Sequence, residues 1–154
     1  MNELLPKRAL NRSLKIITGH DMTEYMLSKK LKDDGYPDSI IENTVNVLKK
    51  ERLINDERYI KGYIEAKSTK KSKRDILIAL SQKGIDSKKA ERIFEELCEE
   101  GTASDEKELI RKLLVKRHFD FDNADYGSKQ KEIQYLLRKG FSFDSIEEAM
   151  NKPE

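Results

Sequence analysis

The chain has 154 residues, with 31 Lys and Arg against 29 Asp and Glu, 7 Gly, 3 Pro, a single Cys and no Trp. These counts exclude collagen-like, disulfide-stapled and membrane-spanning chains, and the length suits one domain or a few small units rather than a large two-domain enzyme. With 36% hydrophobic residues, 39% charged residues and a net charge of +2, the supply is one of narrow apolar stripes on solvated helices, and a nucleic-acid partner turns on where the charge lies rather than on its sum.

Leu4, Leu5, Leu10, Leu14 and Ile17 recur at close to helical spacing and predict a first amphipathic helix, with Pro6 tolerable in its first turn. Glu3, Lys7, Arg8, Arg12 and Lys15 interrupt the apolar residues of the stretch from Met1 to Ile17. It therefore offers neither the apolar region of a signal peptide nor the ~20 apolar residues of a span, and a cytoplasmic protein without membrane contact is expected. Asp21 and Glu24 form a capping-box pattern ahead of a second helix with Leu27 and Leu31, which stops at Gly35. Pro37 opens a third helix carrying Ile40, Ile41, Val45 and Leu48, and Asn55 or Asp56 caps a fourth carrying Tyr59, Ile60, Tyr63 and Ile64. Further on, Ile76, Leu77 and Leu80 precede Gly84, and Ala90, Ile93, Phe94 and Leu97 follow it. Ser104 and Asp105 then cap a helix with Leu109, Ile110, Leu113 and Leu114.

The pattern repeats. Four residues before Gly35, Gly84 and Gly140 stand Leu31, Leu80 and Leu136; one after stand Tyr36, Ile85 and Phe141; six after, Ile41, Ala90 and Ile146; ten after, Val45, Phe94 and Met150. Asp56-Glu57 and Asp105-Glu106 fall at the same offset from their glycines, and the extra residues of the third period fit the polar stretch His118 to Tyr126. The reading is an all-α tandem array of three-helix repeats, elongated or curved, each unit too small to bury its stripe alone. It divides as an N-terminal helical segment 1–22, repeats 23–69 and 70–118, and a linker with a truncated repeat 119–154 that ends before its last helix.

No phosphate-cradling glycine string is present, and neither His20 nor His118 belongs to a zinc pattern. Asp120, Asp122 and Asp125 resemble a calcium loop, but Ala124 and Asp125 occupy positions where the EF-hand needs a ligand and a glycine, so a polar linker is the better reading. Cys98 lies among Glu95, Glu96, Glu99 and Glu100, where a thiolate is disfavoured. No catalytic residue, cofactor or metal is expected. The informative charges are Lys67, Lys70, Lys71, Lys73 and Arg74, five cations in eight residues without an acid, and a second run of Arg111, Lys112, Lys116 and Arg117. Each either meets phosphates or an acidic protein groove, with salt-sensitive binding, or merely complements a helix end. Tyr59 and Tyr63, one turn apart, are a base-stacking platform or, more often for such pairs, core residues with the hydroxyl at the rim.

The segments Thr23-Glu24-Tyr25-Met26-Leu27-Ser28-Lys29-Lys30-Leu31 running to Gly35, Leu53-Ile54-Asn55-Asp56-Glu57-Arg58-Tyr59-Ile60-Lys61-Gly62-Tyr63-Ile64, and Ile76-Leu77-Ile78-Ala79-Leu80-Ser81-Gln82-Lys83-Gly84-Ile85 together resemble the RecX family of regulatory proteins, modulators of the RecA recombinase. The likeness runs from about Ala9 onward and departs from the family patterns at Met22, Met26 and Ile60. It implies a non-catalytic, monomeric protein that lies in the groove of the RecA filament on single-stranded DNA and restrains its ATP hydrolysis and strand exchange, with the basic junctions as filament or DNA contacts. A free-standing nucleic-acid binder and a generic helical interaction scaffold are the alternatives that the residues themselves allow.

Overall fold

The structure, a computed structural model, describes residues 4–151. Residues 1–3 and 152–154, which the sequence division includes in its first and last segments, lie outside the described residues. Among the described residues there are nine α-helices and no strand: α1 Leu4–Gly19, α2 Glu24–Asp33, α3 Asp38–Lys50, α4 Asp56–Lys67, α5 Lys73–Gln82, α6 Ser87–Glu100, α7 Glu106–Lys116, α8 Tyr126–Arg138 and α9 Phe143–Met150. They form two compact units. One runs to Gly62 and takes in Leu80–Ala90; the other holds Tyr63–Ala79 and everything described from Glu91 onward.

The glycine anchors of the sequence repeat are helix stops of one kind. Gly35, Gly84 and Gly140 have φ of +94°, +82° and +99°, which a side chain disfavours. At each, the N–H of the next residue donates to a carbonyl five positions back: Tyr36 to Leu31 (3.1 Å), Ile85 to Leu80 (3.1 Å) and Phe141 to Leu136 (3.2 Å). This is the Schellman closure, and it turns the chain so that the following apolar residue folds inward. The matched columns accordingly lie in the core, with Leu31, Leu80 and Leu136 fully buried and Tyr36 and Met150 half-buried at the ends of theirs.

Most helix starts follow side-chain capping, α3 after Pro37 being one without it, and one cap differs from expectation. Asp21 does not cap α2. Thr23 does, its Oγ1 accepting from the Met26 N–H at 3.1 Å, while Asp21 pairs with Arg58 at 3.2 Å. Asn55 accepts from the Arg58 N–H ahead of α4, and Asp105, Asp125 and Ser142 cap α7, α8 and α9. The stripe expected on α1 is also redrawn. Its inner face is Ala9, Ser13 and Ile16, an i, i+4, i+7 row, made tolerable by the Ser13 hydroxyl donating to the Ala9 carbonyl at 2.7 Å. Leu4 and Leu14 stay 59% and 36% exposed.

In the first unit the core gathers Ile16, Met22, Leu27, Leu31, Ile41, Val45, Leu48 and Ile54; in the second, Leu109, Ile110, Leu114, Leu136, Phe141, Ile146 and Ala149. A periodic chain can be cut in any phase. The sequence division counts from each glycine-ended helix, whereas these two cores begin one helix earlier, at α1 and at α7. Met22 and Ile60 are buried and Met26 packs against the first core, so the three departures from the family patterns are packing residues.

Within each unit one joint recurs. In the first, Thr23 Oγ1 also donates to the Lys83 carbonyl at 2.6 Å, the Glu24 N–H donates to Asp56 Oδ1 at 2.8 Å, and Tyr25 lies so close over Gly84 that a Cβ there would overlap its Cβ and Cγ. In the second, Ser72 caps α5 by accepting from the Asp75 N–H and the Lys73 N–H donates to Glu106 Oε1 at 3.1 Å. A Cβ on Gly140 would come within 2.7 Å of Ser72 Oγ and 2.9 Å of Asp75 Oδ1. A hydroxyl-capped helix start, clamped by a carboxylate from the first turn of α4 or α7, thus sits on a glycine turn. Nothing lies within 4 Å of a Cβ built on Gly35.

Candidate partner-binding surface

The run Lys67 to Arg74 forms the connection from α4 to α5. Lys67 is in the last turn of α4, and its carbonyl accepts from the N–H groups of Lys70 and Lys71 at 2.9 and 2.8 Å, which closes a tight turn. Two buried hydroxyls pin that turn. Ser68 Oγ accepts from the Ser104 N–H at 3.0 Å, and Ser72 caps α5. Lys70 and Lys71 are exposed between these pins, and neither they nor Lys67 forms an ion pair among the described residues, so rigid backbone holds two unneutralised ammonium groups in water. The other two cations of the run are engaged. Lys73 Nζ stands 3.6 Å from Glu91 and 3.8 Å from Glu95 and 5.7 Å over the Phe94 ring. Arg74 reaches Asp75 at 3.8 Å.

The second run divides in the same way. Arg111 donates to the carbonyls of Ala149 and Glu148 at 3.4 and 3.5 Å, the C-terminal end of α9, where a cation offsets the helix dipole. Arg117 grips Glu132 through two nitrogens, at 2.6 and 3.4 Å, and lies 3.7 Å over the Tyr135 ring. The hydrogen bond to Glu132 raises its pKa further. Lys112 and Lys116 remain exposed and without an ion pair among the described residues. Tyr59 and Tyr63 are half-buried beside the fully buried Ile60 and Ile64.

The remaining sequence candidates have structural roles. Cys98 Sγ lies 3.9 Å from the Ser104 carbonyl; burial, then the Asp105 charge, pushes its pKa up, which keeps the thiol protonated and unreactive. His118, with φ of +61°, takes the left-handed position after α7, so the Phe119 N–H reaches the Leu114 carbonyl at 2.9 Å. In the linker, Asp120 accepts from the N–H groups of Asp122 and Asn123 and Asp125 from that of Ser128 at 2.7 Å, as turn and cap residues do. No group of His, Cys, Asp and Glu able to hold a metal, and no helix long and apolar enough to cross a membrane, occurs among the described residues. Sequence reasoning missed the carboxylate clamps Asp56 and Glu106. Their partners are backbone N–H groups about thirty residues away, which no local pattern marks.

Comparison with known proteins accords with this architecture. The model of the first three-helix domain of RecX matches residues 9–48 and that of the third matches residues 105–150, the same helices that share the two cores. The regulatory protein RecX of Caldanaerobacter subterraneus subsp. tengcongensis is 28% identical over 152 residues, covering 98% of this chain and 73% of that protein. That of Neisseria meningitidis serogroup A is 25% identical over 146 residues, 94% of this chain and 91% of the relative. The crystal structure of RecX from Lactobacillus salivarius superimposes with a TM-score of 0.82 at 26% identity, over 95% of this chain and 94% of that one. With glycine-stopped helices, two three-helix cores and relatives along nearly the whole length, the chain belongs to the RecX family of non-catalytic regulatory proteins.

Proposed function

We propose that this protein binds the filament that RecA forms on single-stranded DNA and restrains its ATP hydrolysis and strand exchange, by occupying the filament groove and by charge. The observation that carries this reading is the α4–α5 turn, with Lys70 and Lys71 exposed, unpaired with any acid among the described residues and held by buried Ser68 and Ser72. Cations fixed in place meet phosphates or an acidic groove with little further loss of freedom, and each neutralised phosphate releases counterion. Lys67, Lys112 and Lys116 add to the attraction, while Lys73, Arg74, Arg111 and Arg117 first pair within their own fold. Family membership supports the partner. The protein acts in the cytoplasm, as a monomer, with no cofactor.

The test is single-strand-dependent ATP hydrolysis by RecA from the same cell, with this protein titrated in beside a bare-strand binding control. Inhibition below stoichiometry is expected. Lys70→Glu with Lys71→Glu raises the half-inhibiting concentration on the order of tenfold without loss of helicity. Unchanged inhibition removes the turn from the mechanism. No inhibition, with tight and salt-sensitive binding to the bare strand, makes the protein a nucleic-acid binder instead.

A further inference from the structure

The turns that close α3 and α6 are one structure written twice. Arg52 stands seventeen residues after Gly35, and Gly101 seventeen after Gly84. In the first turn the N–H groups of Arg52, Leu53 and Ile54 donate to the carbonyls of Lys49, Leu48 and Leu48 at 3.0, 2.9 and 3.3 Å; in the second, those of Gly101, Thr102 and Ala103 donate to Cys98, Leu97 and Leu97 at 3.1, 3.0 and 3.2 Å. Gly101 takes the left-handed conformation, φ +80°, without a side chain, whereas Arg52 takes it at +58° with one, at a cost in stability that glycine avoids. No hydrogen bond or ion pair of the Arg52 side chain offsets that cost among the described residues, and the residue is exposed. It lines a cleft of about 440 Å³ with Glu24, Asp56 and Glu57, but those carboxylates are already engaged, by Lys49 at 3.2 Å, the Glu24 N–H at 2.8 Å and Lys61 at 3.8 Å. Leu53 is 44% exposed, where Thr102, at the matching place, donates its hydroxyl to the Leu97 carbonyl at 3.1 Å. Glycine and threonine thus suit the turn better than arginine and leucine do.

We propose, resting on the filament reading, that Arg52 and Leu53 touch the protein subunits of the filament, Leu53 entering an apolar pocket and Arg52 gripping a carboxylate at its rim. A strained residue that serves nothing inside the fold, on a turn that the fold holds fast, marks a side chain kept for use outside it. The turn is held fast by Arg58, whose Nη1 donates to the Arg52 carbonyl at 2.9 Å and whose Nη2 donates to the Leu53 carbonyl at 3.3 Å. A guanidinium fork fits a carboxylate and a phosphate alike. Leu53 decides between them, because a phosphate backbone offers nothing apolar to cover it, whereas an arginine beside an apolar residue is the make-up of a contact between proteins. The division of labour is that Lys70 and Lys71 supply charge, while Arg52 and Leu53 recognise a shaped protein surface.

The test transplants the second turn into the first, as Arg52→Gly with Leu53→Thr in the full chain, and measures inhibition of RecA ATP hydrolysis on single-stranded DNA. The half-inhibiting concentration is expected to rise at least about tenfold, with binding to the bare strand unchanged. Arg52→Gly alone is expected to raise the urea midpoint while weakening inhibition, a combination that a merely structural residue would not give. Leu53→Thr alone weakens inhibition by the same factor at low and moderate salt. Four results overturn the proposal when the parent chain inhibits: inhibition unaltered in the double variant; bare-strand affinity that falls with it, which would make the turn a phosphate contact; a midpoint that does not rise in Arg52→Gly, which would remove the strain; or a molar mass that rises with concentration in the parent and not in the double variant, which would make the turn an interface between copies. A parent chain that does not inhibit at all overturns the filament reading as well.

Discussion

Gly84 bears two constraints where Gly35 bears one. Both sit at positive φ, but Gly35 faces open space while Gly84 lies under Tyr25. Gly35→Ala therefore costs about 1–2 kcal/mol for the left-handed backbone alone, and Gly84→Ala adds about 1–3 kcal/mol of overpacking. Urea unfolding of the two variants should separate them in that order, and equal midpoints would mean that Tyr25 moves aside freely. Asp125 sets a different residue-level expectation. The Ser128 backbone N–H, then its hydroxyl, holds the Asp125 carboxyl below the usual carboxylate range. A pKa lower in the folded than in the unfolded state means that the cap is complete above the ordinary Asp value, about 4, and fades as pH falls through the folded one. Protection of the Ser128 amide, its exchange rate set against the unstructured rate at the same pH, should fall on acidification, and Asp125→Asn, which keeps the acceptor without the titration, should flatten that acid limb. At this scale the sequence was partly legible. It placed Lys67 to Arg74 together, yet nothing local to Lys73 tells that Glu91 and Glu95, a helix away, hold its ammonium group.

Among the elements, α2 shows how much a single start can carry. The Thr23 hydroxyl both caps its own helix and holds the Lys83 carbonyl. Thr23→Val removes an N-cap, about 0.5–2 kcal/mol, and leaves a carbonyl without its partner, about 1–3 kcal/mol more. Thr23→Ser, which keeps the oxygen, should lose far less, and thermal unfolding of the pair measures the difference. Near-equal loss in the two would mean that the hydroxyl contributes no more than the methyl group that Ser lacks. The first helix shows the limit of pattern reading. A leucine-led stripe put Leu4 and Leu14 inward, but small Ala9 and Ser13 permit closer helix approach, so the inner face shifted and Leu4 and Leu14 were left exposed. The caps at Asp105 and Asn55 were legible because the N–H groups that donate to them lie within three residues. The clamps from Asp56 and Glu106 were not, because those carboxylates serve another helix.

For the molecule as a whole, the all-α repeat was readable since the glycine stop writes itself as fixed offsets of apolar residues, and those offsets became the core columns. The phase of the units was not readable, because periodicity is indifferent to where it is cut while a shared core is not. Net charge near neutrality conceals cationic surfaces on α1 and at the α4–α5 turn, and only the second stood out in sequence as an unbroken run. If the turn contacts phosphates, filament binding by the Lys70→Glu, Lys71→Glu variant should show a salt slope reduced by about 2, measured by titration between low and moderate salt; an unaltered slope would place the phosphates elsewhere. The bare turn at Gly35 gives the chain a grammar as well as a fold. Each hydroxyl-capped start that rides on a glycine turn rides on one that comes later in the chain, so the motif reads in one direction, like a hook that always faces forward to the next eye. Gly35 is an eye without a hook among the described residues, and the cap of α8, Asp125, stands fifteen residues before its glycine where Thr23 and Ser72 stand twelve before theirs, so its start is misspelt as a hook.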